Sequence, residues 1–296
     1  MGDWLRFAAT TFAGADLHYG HGTSSAWDEA VALVLDWLRL PNDRAEAVLG
    51  ARLTAAECKE LAFAIQRRVG ERIPVPYLTG LAHFGGLTFE VDRSVLIPRS
   101  PMAELLLDGL EPWLGGRLPG RILDLGTGSG CIGILAATVF PDAEVILADV
   151  SAEALEVAAR NVGRHGLEER VAVRRSDLYY GLPGDSFDLI LCNPPYVDRG
   201  DLATMPPEFA HEPRSALAGG GEDGLELVAR LLAETSDHLA ENGLLVLEVG
   251  NSAPALLARW PEIEWIWPEL AAGGFGVALI ERAGLEGLGR AAPSEG

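Results

Sequence analysis

Apolar residues recur at helical spacing between positions 26 and 70, as Val31, Leu35 and Leu38 in one stretch and Leu61, Ile65 and Val69 in another. That repeat keeps side chains on one helix face. Pro41 and Asn42 interrupt the first stretch, and Thr54 with Glu57 three residues on has the spacing of a capping box that starts the second. Pro74 and Pro76 are expected to end helical character. From 77 to 97, glycines alternate with Phe84, Leu87, Phe89, Val91, Val95 and Ile97, which predicts a β-hairpin connector. Beyond Pro119 the pattern becomes apolar strands (121–125, 144–148, 171–174, 187–192, 244–249) separated by helical stretches (132–140, 151–165, 224–239). Ser151 stands where a cap for the second of these helices belongs. Strand and helix in alternation predict an α/β fold with a mostly parallel sheet covered on both faces. Ile263, Trp265 and Trp267, a turn at 273–276 and a strand at 277–280 predict a terminal antiparallel pair. The Gly, Arg, Ala, Pro and Ser residues after Glu286 are expected to be disordered. The chain thus divides into a helical domain (1–75), a connector (76–100), an α/β domain (101–285) and a tail (286–296).

At 296 residues with 48% hydrophobic and 22% charged side chains, the chain is globular in composition and long enough for two domains. No apolar run reaches the length of a membrane span, and residues 1–16 lack a basic flank leading into an apolar stretch, so a cytoplasmic protein with no membrane partner is expected. Cys58, Cys131 and Cys192 form no CxxC and have no His at ligand spacing, which predicts reduced thiols and no metal site. Forty-three acidic against 23 basic residues give a charge of -20, a field that repels phosphate backbones and attracts basic partners. Stable nucleic-acid binding is therefore not expected.

The first chemical signal is Asp124, Gly126, Thr127, Gly128, Ser129 and Gly130, which close the strand at 121–125 and open a helix. Glycines there let a ligand approach the backbone, with free amide hydrogens expected to face it. Glycine at every second position departs from the G-x-G-x-x-G order of dinucleotide sites. An Asp aimed into the pocket would repel a pyrophosphate but suit the ammonium and sulfonium charges of an aminoacyl nucleoside such as S-adenosylmethionine. Asp149, about twenty residues on, is placed for both ribose hydroxyls, or else as a helix-cap partner beside Ser151. Asp177 is placed for an adenine amino group or as a solvated loop acid, with Leu178 to cover the ring, while Cys131 is expected to pack under the loop.

The second signal is Asn193-Pro194-Pro195-Tyr196, directly after the strand at 187–192. In open α/β sheets, ligands gather at the carboxyl ends of strands, so both signals should face one crevice. An amide nitrogen is a poor nucleophile with two hydrogens that need acceptors once desolvated. The Asn193 side-chain oxygen and the Pro194 carbonyl can take one each, the prolines stiffen the backbone, and Tyr196 offers a flat face. Orientation then replaces a strong general base.

On these motifs the chain resembles the class I S-adenosylmethionine-dependent methyltransferases. Within them it is similar to the family that methylates glutamine side-chain amides in proteins, and the resemblance covers nearly the whole length. Tyr77-Leu-Thr-Gly, Phe84-Gly-Gly-Leu and Leu96-Ile-Pro98-Arg99-Ser100-Pro101 match the connector of that family, and Pro206 to Pro213 and Gly220 to Leu227 match its segment after the tetrapeptide. The resemblance implies a Rossmann-like sheet, donor binding at Gly126 through Gly130, Asp149 and Leu178, and amide binding at Asn193, Pro194 and Tyr196. It places Arg99 either at the mouth of the site or at a helix cap.

The family has a release-factor branch and a ribosomal branch, the latter acting on the third protein of the large subunit. The former usually reads Ile-Pro-Arg-Pro-Asp-Thr-Glu in the connector. Here Ser100 follows Arg99, and the early Tyr19-Gly-His21-Gly-Thr23 and Trp27-Asp-Glu-Ala30 resemble the ribosomal branch. A basic ribosomal protein is thus the expected substrate, recognised by the helical domain, with a release factor as the alternative. His18, His21 and Trp27 are placed to touch that partner or to fix the first helix. A nucleic-acid adenine amino-methyltransferase shares the tetrapeptide but would need a basic groove. A donor-binding module without chemistry would have no need of the acceptors at 193–196.

Overall fold

Capping residues decide where the helical part of the chain begins and ends, in a computed structural model that describes residues 1–41, 48–271 and 273–285. Helix α1 (Gly2–Ala13) was not foreseen from the pattern, although Leu5, Ala8 and Phe12 form its buried stripe. Helix α2 (Ala26–Trp37) starts where the Ser25 side chain accepts from the Asp28 amide, and α3 (Ala55–Gly70) starts at Thr54, where the reciprocal capping box with Glu57 is formed. The three helices meet around Phe12, Leu33, Ala64 and Ile65, a cluster of their own apart from the sheet. Helix α2 ends before Pro41, while Asn42 lies outside the described residues, as does the tail from 286.

The prolines at 74 and 76 act differently from the expectation. They open a short helix, α4 (Val75–Thr79), because proline lacks an amide hydrogen that the first helical turn leaves unused anyway. Strands β1 (Leu81–Phe84) and β2 (Leu87–Glu90) then form the predicted hairpin. Residues 91–97 do not extend it; Val91, Val95 and Ile97 instead pack against Ala154 and Val157. A further helix that the pattern did not announce, α5 (Met102–Leu107), leads into the sheet.

The sheet comprises β3 (Arg121–Leu125), β4 (Glu144–Asp149), β5 (Val171–Arg175), β6 (Phe187–Cys192), β7 (Leu239–Glu248) and β8 (Val277–Glu281) in the order β5-β4-β3-β6-β7-β8. All neighbours are parallel except β7 and β8. Alternate strand residues feed two cores. Ile122, Val145 and Leu189 face α6 (Cys131–Val139), whereas Leu123, Ile146 and Ile190 face α9 (Glu226–His238). Helix α7 (Ala152–Arg164) joins the first layer, and α8 (Arg199–Thr204) lies in the long segment after β6. The predicted terminal pair reduces to one bridge, Ile266 with Leu279, because β8 finds its full ladder on β7. Strand order reverses at β3, so the crevice for a ligand opens at the carboxyl ends of β3 and β6.

An ion cluster fastens the three helices to the segment after α8. Arg68, with no exposed surface, donates to Glu29 Oε2 at 3.0 Å, to Glu208 Oε1 at 3.3 Å and to the His18 carbonyl at 2.9 Å. The His18 amide also donates to Glu208.

Candidate active site

Between β3 and α6 the chain turns through Gly126, Gly128 and Gly130, all at positive φ (73°, 55° and 84°), which the absence of a Cβ permits. Four amides of this turn are engaged within the protein rather than facing a ligand as expected. Gly126 and Thr127 donate to the Ala148 carbonyl, Gly128 donates to Asp149 Oδ2 and Gly130 to the Thr127 carbonyl. The carbonyls of Gly126 and Gly128, by contrast, accept nothing from the described residues. A loop with engaged donors and open acceptors favours a cation over a phosphate.

Gly126, Thr127, Gly128 and Ser129 line a cavity of about 210 Å³ together with Asp149, Leu178 and Asp177. Gly130 and Asp124 are not in its wall. Gly130 caps α6 and faces Leu147 and Ile134. Asp124, 1% exposed, corrects the expectation of a carboxylate aimed at the ligand: its Oδ2 accepts from the Thr127 hydroxyl at 2.5 Å and the Gly133 amide at 2.9 Å. Burial pushes its carboxyl up to about 6 against those two bonds. It shapes the loop from beneath. Cys131, expected beneath the loop, is buried yet belongs to the wall of this cavity, and burial pushes its thiol up to about 12.

Asp149 supports the start of α7 and also stands in the cavity wall. Oδ1 accepts from the Ser151 amide and Oδ2 from the Gly128 amide, each at 2.9 Å, which leaves each oxygen capacity for a further bond. Leu178, buried and at φ 48°, lines the same space. Both Asp177 oxygens accept from Arg230 Nη2, at 3.0 and 3.1 Å, in a half-exposed ion pair at the rim.

A second cavity, of about 500 Å³, is lined by Asn193, Pro194, Tyr196, Arg99, Phe209 and Glu248. Asn193, Arg99, Leu96 and Ala216 belong to the walls of both cavities, so the glycine loop and the tetrapeptide open into joined space. Pro195 faces the first cavity. Neither the Asn193 carboxamide nor the Pro194 carbonyl is engaged by another described residue, so both acceptors stand free at the junction.

Arg99 lines the mouth and caps no helix. Its fork donates to both oxygens of Glu212, and its guanidinium lies 5.1 Å from the Phe209 ring centre. Phe209 also carries the rings of His18 and His21, at 5.5 and 4.6 Å, so these histidines brace the segment behind the site. Trp27 is 54% exposed.

Glu248, Glu212 and Phe209 were not singled out as site residues from the sequence. For Glu248 a signal existed: it is the one charged residue in an apolar strand end, Leu-Leu-Val-Leu-Glu-Val, at the carboxyl edge where ligands gather. Burial pushes its carboxyl up to about 7, against hydrogen bonds from Ser100 and Tyr196.

The profile of the Methyltransferase small domain family matches residues 101–242. The ribosomal protein uL3 glutamine methyltransferase of Bordetella pertussis is 46% identical over 281 residues, 95% of this chain and 94% of that relative. The protein of the same name from Francisella tularensis subsp. tularensis is 43% identical, over 94% of this chain and 88% of the relative. Among solved structures, the hMettl16 catalytic domain in complex with MAT2A 3'UTR hairpin 6 superimposes with a TM-score of 0.51 at 18% identity, over 76% of this chain and 80% of that one. At that identity the likeness speaks for the fold alone.

Proposed function

The chain belongs to the ribosomal protein uL3 glutamine methyltransferase family, and we propose that it moves a methyl group from S-adenosylmethionine to the side-chain amide nitrogen of a glutamine in uL3, the third protein of the large ribosomal subunit. The observation that carries the chemistry is the shared wall: Asn193 stands in both cavities with its carboxamide free.

The donor supplies an electrophilic methyl carbon next to a sulfonium. The first cavity fits such a group, since Gly126 and Gly128 present unengaged carbonyls and the Asp149 carboxylate, which has capacity beyond its two amide bonds, would meet the ribose hydroxyls. Leu178 would cover the base, and Asp177 would meet its edge while shared with Arg230. In the second cavity the Asn193 oxygen and the Pro194 carbonyl accept the two amide hydrogens, and Tyr196 flanks the amide plane. Held so, the nitrogen would be fixed in line with the methyl carbon; as the C–N bond forms the C–S bond would break, leaving S-adenosylhomocysteine, and the proton shed by nitrogen would pass to water. A charge of -20 suits a basic substrate such as a ribosomal protein and disfavours nucleic acid. Among the described residues no His, Cys, Asp and Glu group is arranged to hold a metal ion, and no helix is long and apolar enough to cross a membrane.

Labelled donor incubated with the protein and, separately, with uL3, a release factor and a DNA duplex tests the reading. Label on a glutamine of uL3, located by peptide mass spectrometry, is the expected result. Label confined to the release factor or to DNA overturns the choice of substrate.

A further inference from the structure

Strand β7 could have ended on another aliphatic residue, yet it ends on Glu248, whose side chain is almost wholly buried and still forms part of the second cavity's wall. A carboxylate is costly to bury unless donors meet it. Here Oε1 accepts from the Tyr196 hydroxyl at 3.1 Å and Oε2 from the Ser100 hydroxyl at 2.5 Å. Ser100 Oγ accepts in turn from the Met102 amide at 3.1 Å, at the start of α5. One carboxylate therefore ties the Asn-Pro-Pro-Tyr corner to the segment that carries Arg99. The far side of the Tyr196 ring is closed by Gly250, where a Cβ would come within 2.6–2.8 Å of ring carbons and the hydroxyl.

We infer that Glu248 is the positioning residue of the target-amide cavity: by bridging Tyr196 and Ser100 it sets the ring against which the glutamine carboxamide lies. The inference rests on the function proposed above. The bridge is also sensitive to protonation. Charged and titratable groups facing Glu248 are Tyr196, Arg99 and, more distantly, Cys192. As a carboxylate, Glu248 accepts from both hydroxyls. Once protonated, one of its oxygens becomes a donor, and one hydroxyl loses its acceptor or must reverse. The bridge is complete only above the carboxyl's titration, which burial places at about 7.

Two arms test this. In protein with ring-labelled tyrosine, the Tyr196 carbon signal, assigned by its loss in Tyr196→Phe, is expected to titrate with a midpoint near pH 7 and to lie flat in Glu248→Gln. That arm needs no substrate, so it stands apart from the choice of uL3. In the second arm, kcat/KM of the wild-type protein on uL3 is expected to rise along an acid limb that Glu248→Gln removes. Glu248→Ala should lower kcat on the order of ten- to hundredfold while donor Kd changes by less than about threefold. Because the buried charge opposes folding, Glu248→Gln should melt no lower than the wild type at about pH 8, which separates lost turnover from lost structure. A Tyr196 signal with no titration that depends on Glu248, or Glu248→Ala with wild-type kcat and an unmoved pH profile, overturns the inference. If uL3 is not methylated while the Tyr196 signal titrates as described, the substrate falls and the Glu248 bridge stands.

Discussion

Arg99 and Glu212 meet through two contacts of 2.6 Å, one from each terminal nitrogen of the guanidinium to each carboxylate oxygen, with Phe209 beneath the guanidinium. Glu212 also accepts from the Ile97 amide and lies 3.7 Å from His21. Burial opposes its ionisation, but these donors and the Arg99 charge hold the carboxyl down at about 2. A depressed carboxyl stabilises the fold above its unfolded value, and that stability drains away as pH falls towards the folded value. The unfolding free energy from urea titrations should therefore decline between about pH 5 and pH 2, by roughly 3 kcal/mol from this group. Glu212→Gln should flatten that decline, and an unchanged slope would refute the assignment.

Asn193→Ala should remove most turnover, roughly a hundredfold or more, and leave donor affinity near normal, because the amide acceptors and the donor cavity are separate groups that share one wall. Calorimetry with the donor alongside single-turnover methylation of uL3 checks both halves. Loss of donor affinity equal to the loss of turnover would show that Asn193 belongs to the donor.

Asp149→Ala should weaken donor binding by about 1.5–3 kcal/mol, roughly ten- to hundredfold in Kd, if this side chain accepts from the ribose hydroxyls as proposed. The same change frees the Gly128 and Ser151 amides, so the loop should also exchange its amide hydrogens faster. Unchanged affinity by calorimetry would reject the ribose role.

Arg68→Met should destabilise the protein by about 3–5 kcal/mol, because Glu29 would remain buried without its cation, while Glu208 would be left with Arg72. Since Glu208 belongs to the segment that carries Phe209, turnover on uL3 should fall further than donor affinity in the surviving folded protein. Denaturant unfolding and calorimetry read the two effects separately, and a loss below about 1 kcal/mol would make the cluster incidental.

Association with a basic substrate should slow as salt rises, because the charge of -20 acts at a distance that ions screen. Stopped-flow association rates of uL3 between low and physiological salt are expected to drop by tenfold or more, with donor binding nearly unaffected. A salt-independent rate would mean that net charge has no part in recognition.

Much of this was legible in the chain itself. Apolar runs placed β3, β4 and β6 within a residue or so, since buried parallel strands read as such runs whatever surrounds them. Thr54 with Glu57 and Ser151 marked helix starts because caps are local chemistry. Asn193, Pro194 and Tyr196 stood out for the same reason: their types and order suffice to name acceptors and a flat face.

Other features needed the folded chain. Pro74 and Pro76 open a helix rather than end one, since a proline is read by its place in the turn. The glycine loop donates its amides inward, because the Ala148 carbonyl and Asp149 arrive from a neighbouring strand. Asp124 faces the core, held by donors three and nine residues on. The hydrogen-bond partners of the Arg68, Glu212 and Glu248 side chains lie between 39 and 148 positions away, as Arg68 with Glu29 and Glu248 with Ser100. Local propensity and motif chemistry act over a few residues and are written in the order of the chain. Which carboxylate is buried, and against which hydroxyl, is set by the sheet order β5-β4-β3-β6-β7-β8, which brings distant strand ends to one edge.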